Sequence, residues 1–321
     1  MKTLIFFLIV SICSVCNSQT GCMPAGEYIA GIYNKYNIIA LAEGPHGTLN
    51  THKFLRELLK DNTISNSVEY VILEFANISQ QEILDRYIKG EKVPFEELQL
   101  IWRTATQSHG PLFESPVYFK LLETIRVINF TLPEGKKMRV LAGDPLIDWP
   151  NINTQKEFFA NLSRRDVLPS ELAITYGIDS GKKVLLIYGD AHIMKSSDEK
   201  KDSTHWTIPY YINKKYPNSI YTIDMLVSGN YGAEINLSEI PENSICDLSV
   251  SPVGMLPFRN NFDPSDTLLM LKDVFDASAY IGPSEKWEAD KPALIDQEYW
   301  TELNRRSTII WGEGIDMSLM K

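Results

Sequence analysis

Five short apolar runs set the narrowest limit on how this chain folds. They cover residues 37–42, 68–73, 138–142, 183–188 and 220–226, and stretches with helical spacing lie between them. Parallel strands buried on both faces are continuous apolar runs of this kind, and helices connect them. The pattern therefore predicts an α/β fold with a mainly parallel central sheet and helices on both faces.

The same rhythm predicts how the 321-residue chain is organised. Residues 37–227 are expected to form the α/β core that carries the site, after an N-terminal segment at 19–36. Beyond residue 228 the alternation is lost and Pro and Asn become frequent. We expect residues 228–321 to be a C-terminal extension packed on the core. With 44% hydrophobic residues, the chain can bury a substantial core.

The first residues have the features of a targeting segment. Lys2 gives the N-terminus a positive charge, Leu4–Val10 is an apolar run, and Cys16 and Ser18 are small residues before the expected cut. Residues 1–18 are predicted to be a signal peptide that is cut before Gln19, so the protein is expected to be exported to the periplasm or secreted. The alternative is a buried N-terminal strand or helix. No run is long enough to span a bilayer, so we do not expect an integral membrane protein.

Net charge limits the choice of partner. The chain carries −10 at pH 7, from 41 acidic and 31 basic residues. Nucleic acids and anionic membrane surfaces attract basic proteins, so neither is expected as a main partner. A small molecule or a peptide is the expected substrate class.

Two cysteines, Cys22 and Cys246, remain after the predicted cleavage. They form either one disulfide in an oxidising compartment or two unrelated buried thiols. Their spacing does not match a cysteine-based zinc site.

The candidate chemistry lies where the apolar runs end. In an open α/β sheet, ligands bind outside the carboxyl ends of the strands. The first run leads into Glu43-Gly-Pro-His46, with Gly44 and Gly47 giving a tight turn. A neutral imidazole in such a turn can take a proton from water or bind a metal. We therefore predict catalytic roles for Glu43 and His46.

Two further runs end in a similar way. Glu74 follows the second run, where a carboxylate is costly unless it is paired or faces a cleft. The fourth run leads into Gly189-Asp-Ala-His192. Glu74 and His192 are predicted to be catalytic. Asp190 is a candidate that orients an imidazole or binds a metal.

Four other side chains are candidate substrate contacts. Asp144 ends the third run, and the alternative for it is a turn-opening aspartate before proline. His109 follows a helix, and the alternative is a helix cap. Arg56 and Arg103 are candidate clamps for an anionic group, and the alternative is a set of exposed salt bridges.

Three stretches together resemble a known superfamily. They are Ala40-Leu-Ala-Glu-Gly-Pro-His-Gly-Thr48, Ile72-Leu-Glu74 and Leu186-Ile-Tyr-Gly-Asp-Ala-His192. The superfamily contains erythromycin esterases, ChaN-type haem-binding proteins and Tiki-type metalloproteases. Trp102-Arg103 and similar pieces resemble a bacterial branch of it. The resemblance covers about residues 37–226.

The resemblance implies two kinds of catalysis. The esterases use the histidine of Glu-x-x-His as a general base, which implies His46 supported by Glu43 and Glu74. The metalloproteases hold a divalent ion with two Gly-x-x-His motifs and a glutamate. Only the second motif, at His192, matches here, and Ala42 stands where the esterases carry Gly.

The residues and the resemblance leave three functional hypotheses open, besides a degenerate core kept for interaction only, against which the presence of both histidines and both glutamates counts. The first is an exported hydrolase of an ester or amide. The second is the same site holding Zn²⁺ or Mn²⁺ through His46, His192, Glu43 and Asp190, because mixed carboxylate and imidazole ligands suit either ion. The third is a protein that binds haem or another small ligand without turnover. Haem is the less favoured cofactor, because no Tyr or His pattern of haem ligation is present.

Overall fold

The computed structural model describes residues 21–195, 206–226, 240–258, 269–282 and 296–315. The predicted signal peptide, residues 1–18, lies outside these ranges together with its cleavage position. Cleavage and export therefore stay predictions.

Strands and helices alternate through most of the described chain. The strands are β1 (Cys22–Pro24), β2 (Ile38–Ala42), β3 (Tyr70–Asn77), β4 (Arg139–Asp144), β5 (Val184–Tyr188), β6 (Ile220–Leu226), β7 (Ser244–Asp247), β8 (Pro257–Phe258), β9 (Leu269–Met270) and β10 (Ala277–Tyr280). The α-helices are α1 (Ala25–Ile32), α2 (Leu49–Lys60), α3 (Asn62–Ser67), α4 (Gln81–Ile88), α5 (Phe95–Arg103), α6 (Pro116–Thr131), α7 (Gln155–Asn161), α8 (Val167–Ala173), α9 (Asp190–Ile193), α10 (Ile208–Lys215), α11 (Leu271–Val274) and α12 (Gln297–Trp311). Of these helices, none combines the length and the apolar character needed to cross a bilayer.

Eight strands form one sheet in the order β1-β7-β10-β6-β2-β5-β3-β4. The six strands from β10 to β4 pair in parallel, and β7 and β1 add antiparallel at one edge. Every residue of β2, β5 and β6 is buried, as expected for strands covered on both faces. The predicted α/β fold is confirmed.

The sheet extends beyond the range 37–227 that the sequence predicts for the core. Strands β7 and β10 come from the segment after residue 228, and β1 comes from the segment before residue 37. The sequence predicts neither β1 nor β7, because strands of three or four residues are too short to show periodicity. Part of the expected C-terminal extension is therefore built into the sheet itself.

Cys22 and Cys246 are bonded to each other. Cys22 of β1 lies opposite Cys246 of β7 in the antiparallel pair, and their sulfurs form a disulfide. The bond links positions that are 224 residues apart. It fixes the N-terminal strand to the edge of the sheet.

We expect loss of this disulfide to destabilise the fold. A cross-link over so long a loop restricts the unfolded chain, and removing one costs about 2–5 kcal/mol. The Cys22→Ala/Cys246→Ala double variant, which leaves neither sulfur unpaired, is expected to unfold at a lower urea concentration than the oxidised protein. Equal urea midpoints would show that the bond contributes no stability.

Candidate active site

The predicted catalytic residues gather at the carboxyl ends of three neighbouring strands. Strand β5 lies between β2 and β3 and is parallel to both. Glu43 directly follows β2, and His192 lies in α9, which starts two residues after β5. Because parallel strands end at the same edge, residues far apart in sequence become neighbours here.

The sequence predicts that Glu74 follows the end of the second strand. In the structure Glu74 lies inside β3. Pairing between β3 and β5 stops with Leu73 opposite Ile187. The register between β3 and β4 then shifts between Leu73 and Asn77. Glu74 therefore stands past the last pairing with β5, in an irregular stretch of the strand.

Glu43 is a buried carboxylate that accepts four hydrogen bonds. Its Oε1 accepts hydrogen bonds from Gly47 N at 3.1 Å, the Tyr118 hydroxyl at 2.7 Å and His52 Nε2 at 2.9 Å. Its Oε2 accepts from His46 Nδ1 at 3.2 Å. Oε1 is therefore fully used, whereas Oε2 has a single donor. Burial favours the neutral acid, but the charges of His46 and His52 hold the pKa of Glu43 well below its usual value.

The turn that carries His46 needs its glycines. Gly44 and Gly47 have φ of 65° and 73°, in the left-handed region that other residues rarely adopt. The turn places His46 three residues after Glu43, so that the imidazole folds back onto the carboxylate. The role predicted for both glycines is confirmed.

The His46 imidazole is held on one side and accessible on the other. Its side chain is 20% exposed, and its ring packs edge-on against Phe113 with 5.7 Å between centroids. Burial disfavours the imidazolium, but Glu43 and then Glu74 raise the pKa of His46 to about 9. His46 is therefore the most basic group that the turn offers to a ligand.

Glu74 is the centre of a second cluster. It is 3% exposed, and it accepts hydrogen bonds from Gly189 N at 2.6 Å, Arg165 Nη2 at 2.7 Å and Gln107 Nε2. Burial alone raises its pKa, but the positive charges of His192 and Arg165 lower the pKa of Glu74 below its usual range. Glu74 is therefore an ionised carboxylate at neutral pH.

His192 has a partner on each ring nitrogen. Nδ1 lies 2.6 Å from Asp166 Oδ1, and Nε2 lies 3.0 Å from Arg165 Nη2 and 3.3 Å from Glu74 Oε1. Arginine only donates, so neutral His192 accepts from Arg165 and donates to Asp166. Burial disfavours the imidazolium, but Asp166 and Glu74 raise the pKa of His192 to about 9. Once protonated, Nε2 can donate to Glu74 instead.

Gly189 lets the two histidine clusters approach each other. A Cβ at this position would lie 3.1 Å from His46 Cε1, 3.2 Å from His46 Nε2 and 3.4 Å from Glu74 Oε2. His46 Nε2 and Glu74 therefore approach the same side of the chain at residue 189. The absence of a side chain at Gly189 leaves this space to the imidazole.

Asp190 and Asp144 each accept hydrogen bonds from residues of neighbouring loops at the site. Asp190 Oδ1 accepts from Gly44 N at 3.2 Å and so ties the loop after β5 to the turn after β2. Asp144 is buried and accepts from the backbone N and hydroxyl of Thr106 and from Asn77 Nδ2. Burial raises the pKa of each aspartate to about 6. Asp144 anchors the loop after α5 through these bonds, and its contact with a substrate stays a prediction.

Arg103 is held by three partners within the protein. Its guanidinium pairs with Glu114 at 3.2 Å and Asp296 at 2.6 Å, and it stacks on the Tyr299 ring at 3.8 Å. Asp296 is the N-cap of α12, so these contacts fix that helix to α5. The sequence does not predict this contact because Asp296 lies 193 positions away. The role of a substrate clamp stays a prediction.

His109 and Arg56 make no described hydrogen bond to the two histidine clusters. His109 packs between the rings of Phe158 and Trp311, and burial together with the charge of Arg165 lowers its pKa to about 4. Arg56 lies in α2, and its Nη1 is buried without a hydrogen-bond partner in the described part of the chain. The substrate roles of both residues stay predictions.

Five residues of the site are missing from the sequence prediction. They are His52, Tyr118, Gln107, Arg165 and Asp166. For His52 a signal was present, because it shares a helical face with buried apolar residues three and seven positions later. Its Nε2 contacts Glu43, and its ring packs edge-on against Tyr118 at 4.8 Å. For Arg165 and Asp166, which lie between two short helices, the sequence offers no signal.

A resident metal ion would have to compete with the present partners of the residues that face each other. In the described ranges, the cluster with ligand atoms within 4.8 Å of one another is Glu43, His46 and Glu74, without the predicted His192 and Asp190. Three donors already bind Glu43 Oε1, and His46 Nδ1 binds Oε2. Glu74 carries the Arg165 guanidinium at 2.7 Å, which repels a cation at the same carboxylate. The charge of Arg165 therefore disfavours Zn²⁺ or Mn²⁺ at this cluster.

Comparisons with solved structures identify the fold. The chain is similar to an erythromycin esterase mutant, EreC, in its open conformation, with a TM-score of 0.52 and 12% identity, over 81% of this chain and 94% of that one. A succinoglycan biosynthesis protein gives a TM-score of 0.52 at 12% identity, over 84% and 96% of the two chains. A Bacillus cereus protein gives a TM-score of 0.51 at 12% identity, over 83% and 93%.

Sequence comparisons add nothing to these structural matches. No protein-family profile matches the chain, and no curated protein matches it. At 12% identity the structural matches show a shared fold and not a shared reaction. The fold expected from the resemblance is confirmed at that level.

Proposed function

We propose that this chain, which shares the fold of an erythromycin esterase, hydrolyses a carboxylic ester or amide without a resident metal. One observation carries the proposal. Two imidazoles on adjacent strand ends each bind a carboxylate through Nδ1, His46 to Glu43 at 3.2 Å and His192 to Asp166 at 2.6 Å. Both leave Nε2 on the side of Glu74, and this arrangement suits one base and one acid.

In the proposed reaction, His46 Nε2 takes a proton from water as the water oxygen bonds to the carbonyl carbon. The carbonyl π electrons move onto oxygen, and Glu43 stabilises the imidazolium that forms. When the tetrahedral intermediate collapses, the bond to the leaving oxygen or nitrogen breaks. Protonated His192 then gives its proton to the leaving group, and Asp166 holds the ring in place.

A panel of 4-nitrophenyl esters, lactones and short peptides tests this proposal. The wild-type protein is expected to hydrolyse at least one class, and the His46→Ala variant is expected to hydrolyse none above background. Equal rates for both proteins on every substrate would end the proposal. The panel also separates ester from amide substrates, since the site itself suits both.

The pH dependence of hydrolysis follows from the environment of His46. Its pKa is raised to about 9 by Glu43, and only the deprotonated form can act as a base. The value of kcat/KM is therefore expected to rise about tenfold per pH unit below about pH 9 and to fall above it, because His192, whose pKa is also about 9, must be protonated to act as the acid. In Glu43→Gln, which lacks the carboxylate charge, the rise is expected at lower pH. A wild-type rate that is flat from about pH 7 to about pH 9 would contradict the role of His46 as the base.

Export of the protein is part of the proposal. The Cys22–Cys246 disulfide supports it, since such bonds persist mainly in oxidising compartments such as the periplasm or the extracellular space. N-terminal sequencing of the protein from the exported fraction tests it. The expected first residue is Gln19, and an intact Met1 start in the cytosol would contradict it.

A further inference from the structure

We propose that Arg165 binds the carbonyl oxygen of the substrate as that oxygen becomes negatively charged. This inference rests on the proposed hydrolysis and adds a catalytic residue to it. The sequence gives no sign of such a role. It comes from the position of the guanidinium between Glu74 and His192.

The guanidinium uses only one of its three nitrogens within the protein. Nη2 donates to Glu74 Oε1 at 2.7 Å and lies 3.0 Å from His192 Nε2. In the described part of the chain, neither Nε nor Nη1 of Arg165 has a hydrogen-bond acceptor, and the side chain is 16% exposed. A guanidinium carries five N–H donors in a rigid fork, so three of them remain for a ligand.

The fork is held rigidly before any substrate arrives. Glu74, which anchors Nη2, is itself fixed by the backbone N–H of Gly189 at 2.6 Å and by Gln107. Donors fixed in this way stabilise developing charge strongly, because they need no reorganisation during the reaction. If Arg165 served only to balance the charge of Glu74, its three free N–H donors would have no role.

The residue after Arg165 completes the arrangement. Asp166 binds Nδ1 of His192 while Arg165 contacts Nε2, so two consecutive residues hold both nitrogens of one imidazole. The group that binds the oxyanion and the group that protonates the leaving atom are thereby fixed relative to each other. Arg165 and His192 approach Oε1 of Glu74, whereas His46, the proposed base, lies on the side of Oε2.

The role of Arg165 involves no proton transfer. As water attacks, the electron pair of the carbonyl π bond moves to oxygen, and the N–H groups of Arg165 donate hydrogen bonds to it. When the bond to the leaving group breaks, the pair returns to form the carbonyl of the acid. The guanidinium keeps its charge throughout, since it only donates hydrogen bonds and gives up no proton.

Kinetics of Arg165→Gln on a 4-nitrophenyl ester tests the role, with inhibition by methyl butylphosphonate as a second readout. This phosphonate is a stable tetrahedral anion that imitates the charged intermediate. We expect kcat to fall about 10²–10³-fold, with KM nearly unchanged, and phosphonate affinity to fall by a similar factor. Arg164→Gln is the matched control, since the neighbouring Arg164 side chain is 60% exposed and, among the described residues, pairs with Glu171 on the surface. It is expected to match the wild type.

A second variant guards against misfolding. Arg165→Lys keeps a positive charge beside Glu74 but lacks the planar fork, and we expect it to lose phosphonate affinity while its unfolding midpoint stays near that of the wild type. If either variant loses kcat but keeps phosphonate affinity, Arg165 acts only by positioning Glu74 and His192, and the inference is wrong. A wild-type protein that neither hydrolyses esters nor binds the phosphonate would instead overturn the proposed function.

Discussion

Replacing His46 by alanine is expected to lower kcat/KM for ester hydrolysis by at least about 10³-fold. The proposed mechanism has no other base at this position, because Glu43 is buried and accepts four hydrogen bonds. The variant also leaves Glu43 Oε2 without its donor. Stability is expected to change much less than activity, since the His46 side chain is 20% exposed and its ring meets the core edge-on, at Phe113.

The control for this variant is another partly buried histidine. His109 lies between Phe158 and Trp311 and makes no described hydrogen bond to either histidine cluster, although the charge of Arg165 contributes to its lowered pKa. His109→Gln is expected to keep kcat/KM within about threefold of the wild type, apart from any change in folded fraction. Steady-state kinetics of both variants, with their urea midpoints, separates a chemical effect from a loss of fold. Equal losses in both variants would mean that His46 has no special role.

Replacing Asp166 by asparagine is expected to lower kcat by about 10²–10⁴-fold while the fold stays intact. The Asp166 carboxylate accepts a hydrogen bond from His192 Nδ1 at 2.6 Å. Its charge raises the pKa of His192 to about 9. An amide can present its NH₂ to Nδ1 instead, which fixes the wrong tautomer and removes the stabilising charge. The leaving group then has no acid to protonate it.

A dependence on the leaving group distinguishes this role of Asp166 from a structural one. Esters of 4-nitrophenol need little protonation of the departing oxygen, whereas alkyl esters need it, so Asp166→Asn is expected to slow alkyl esters more. Asp179→Asn serves as the control, because Asp179 is exposed and accepts a hydrogen bond from the Tyr216 hydroxyl at 3.2 Å. The same loss on both ester classes would argue that Asp166 only maintains the loop.

The sequence predicts the core of the site because the fold places the ends of parallel strands together. Glu43, Glu74 and His192 each follow or end an apolar run, and the order of the strands then decides which ones meet. The sequence does not predict the register between β3 and its neighbours, as the position of Glu74 inside β3 shows. Bulges depend on packing against neighbouring strands, not on a local pattern.

The residues that surround the site could not be predicted, for two physical reasons. Arg165 and Asp166 are placed by the packing of α8 on β3, β4 and β5, and the stretch that holds them has no periodicity of its own. Arg103 and His109 have the residue types of a binding site, but their partners in α12 are remote in sequence. Charged and aromatic side chains do not show from local sequence whether they meet a substrate or another helix.

Elemental mass spectrometry of the purified protein, combined with ester hydrolysis before and after dialysis against a chelator, tests the central claim most directly. The account predicts far less than about one equivalent of zinc or manganese per chain and hydrolysis that the chelator does not change. About one bound equivalent whose removal abolishes hydrolysis, and whose return restores it, would contradict a reaction carried out by His46 and His192 alone.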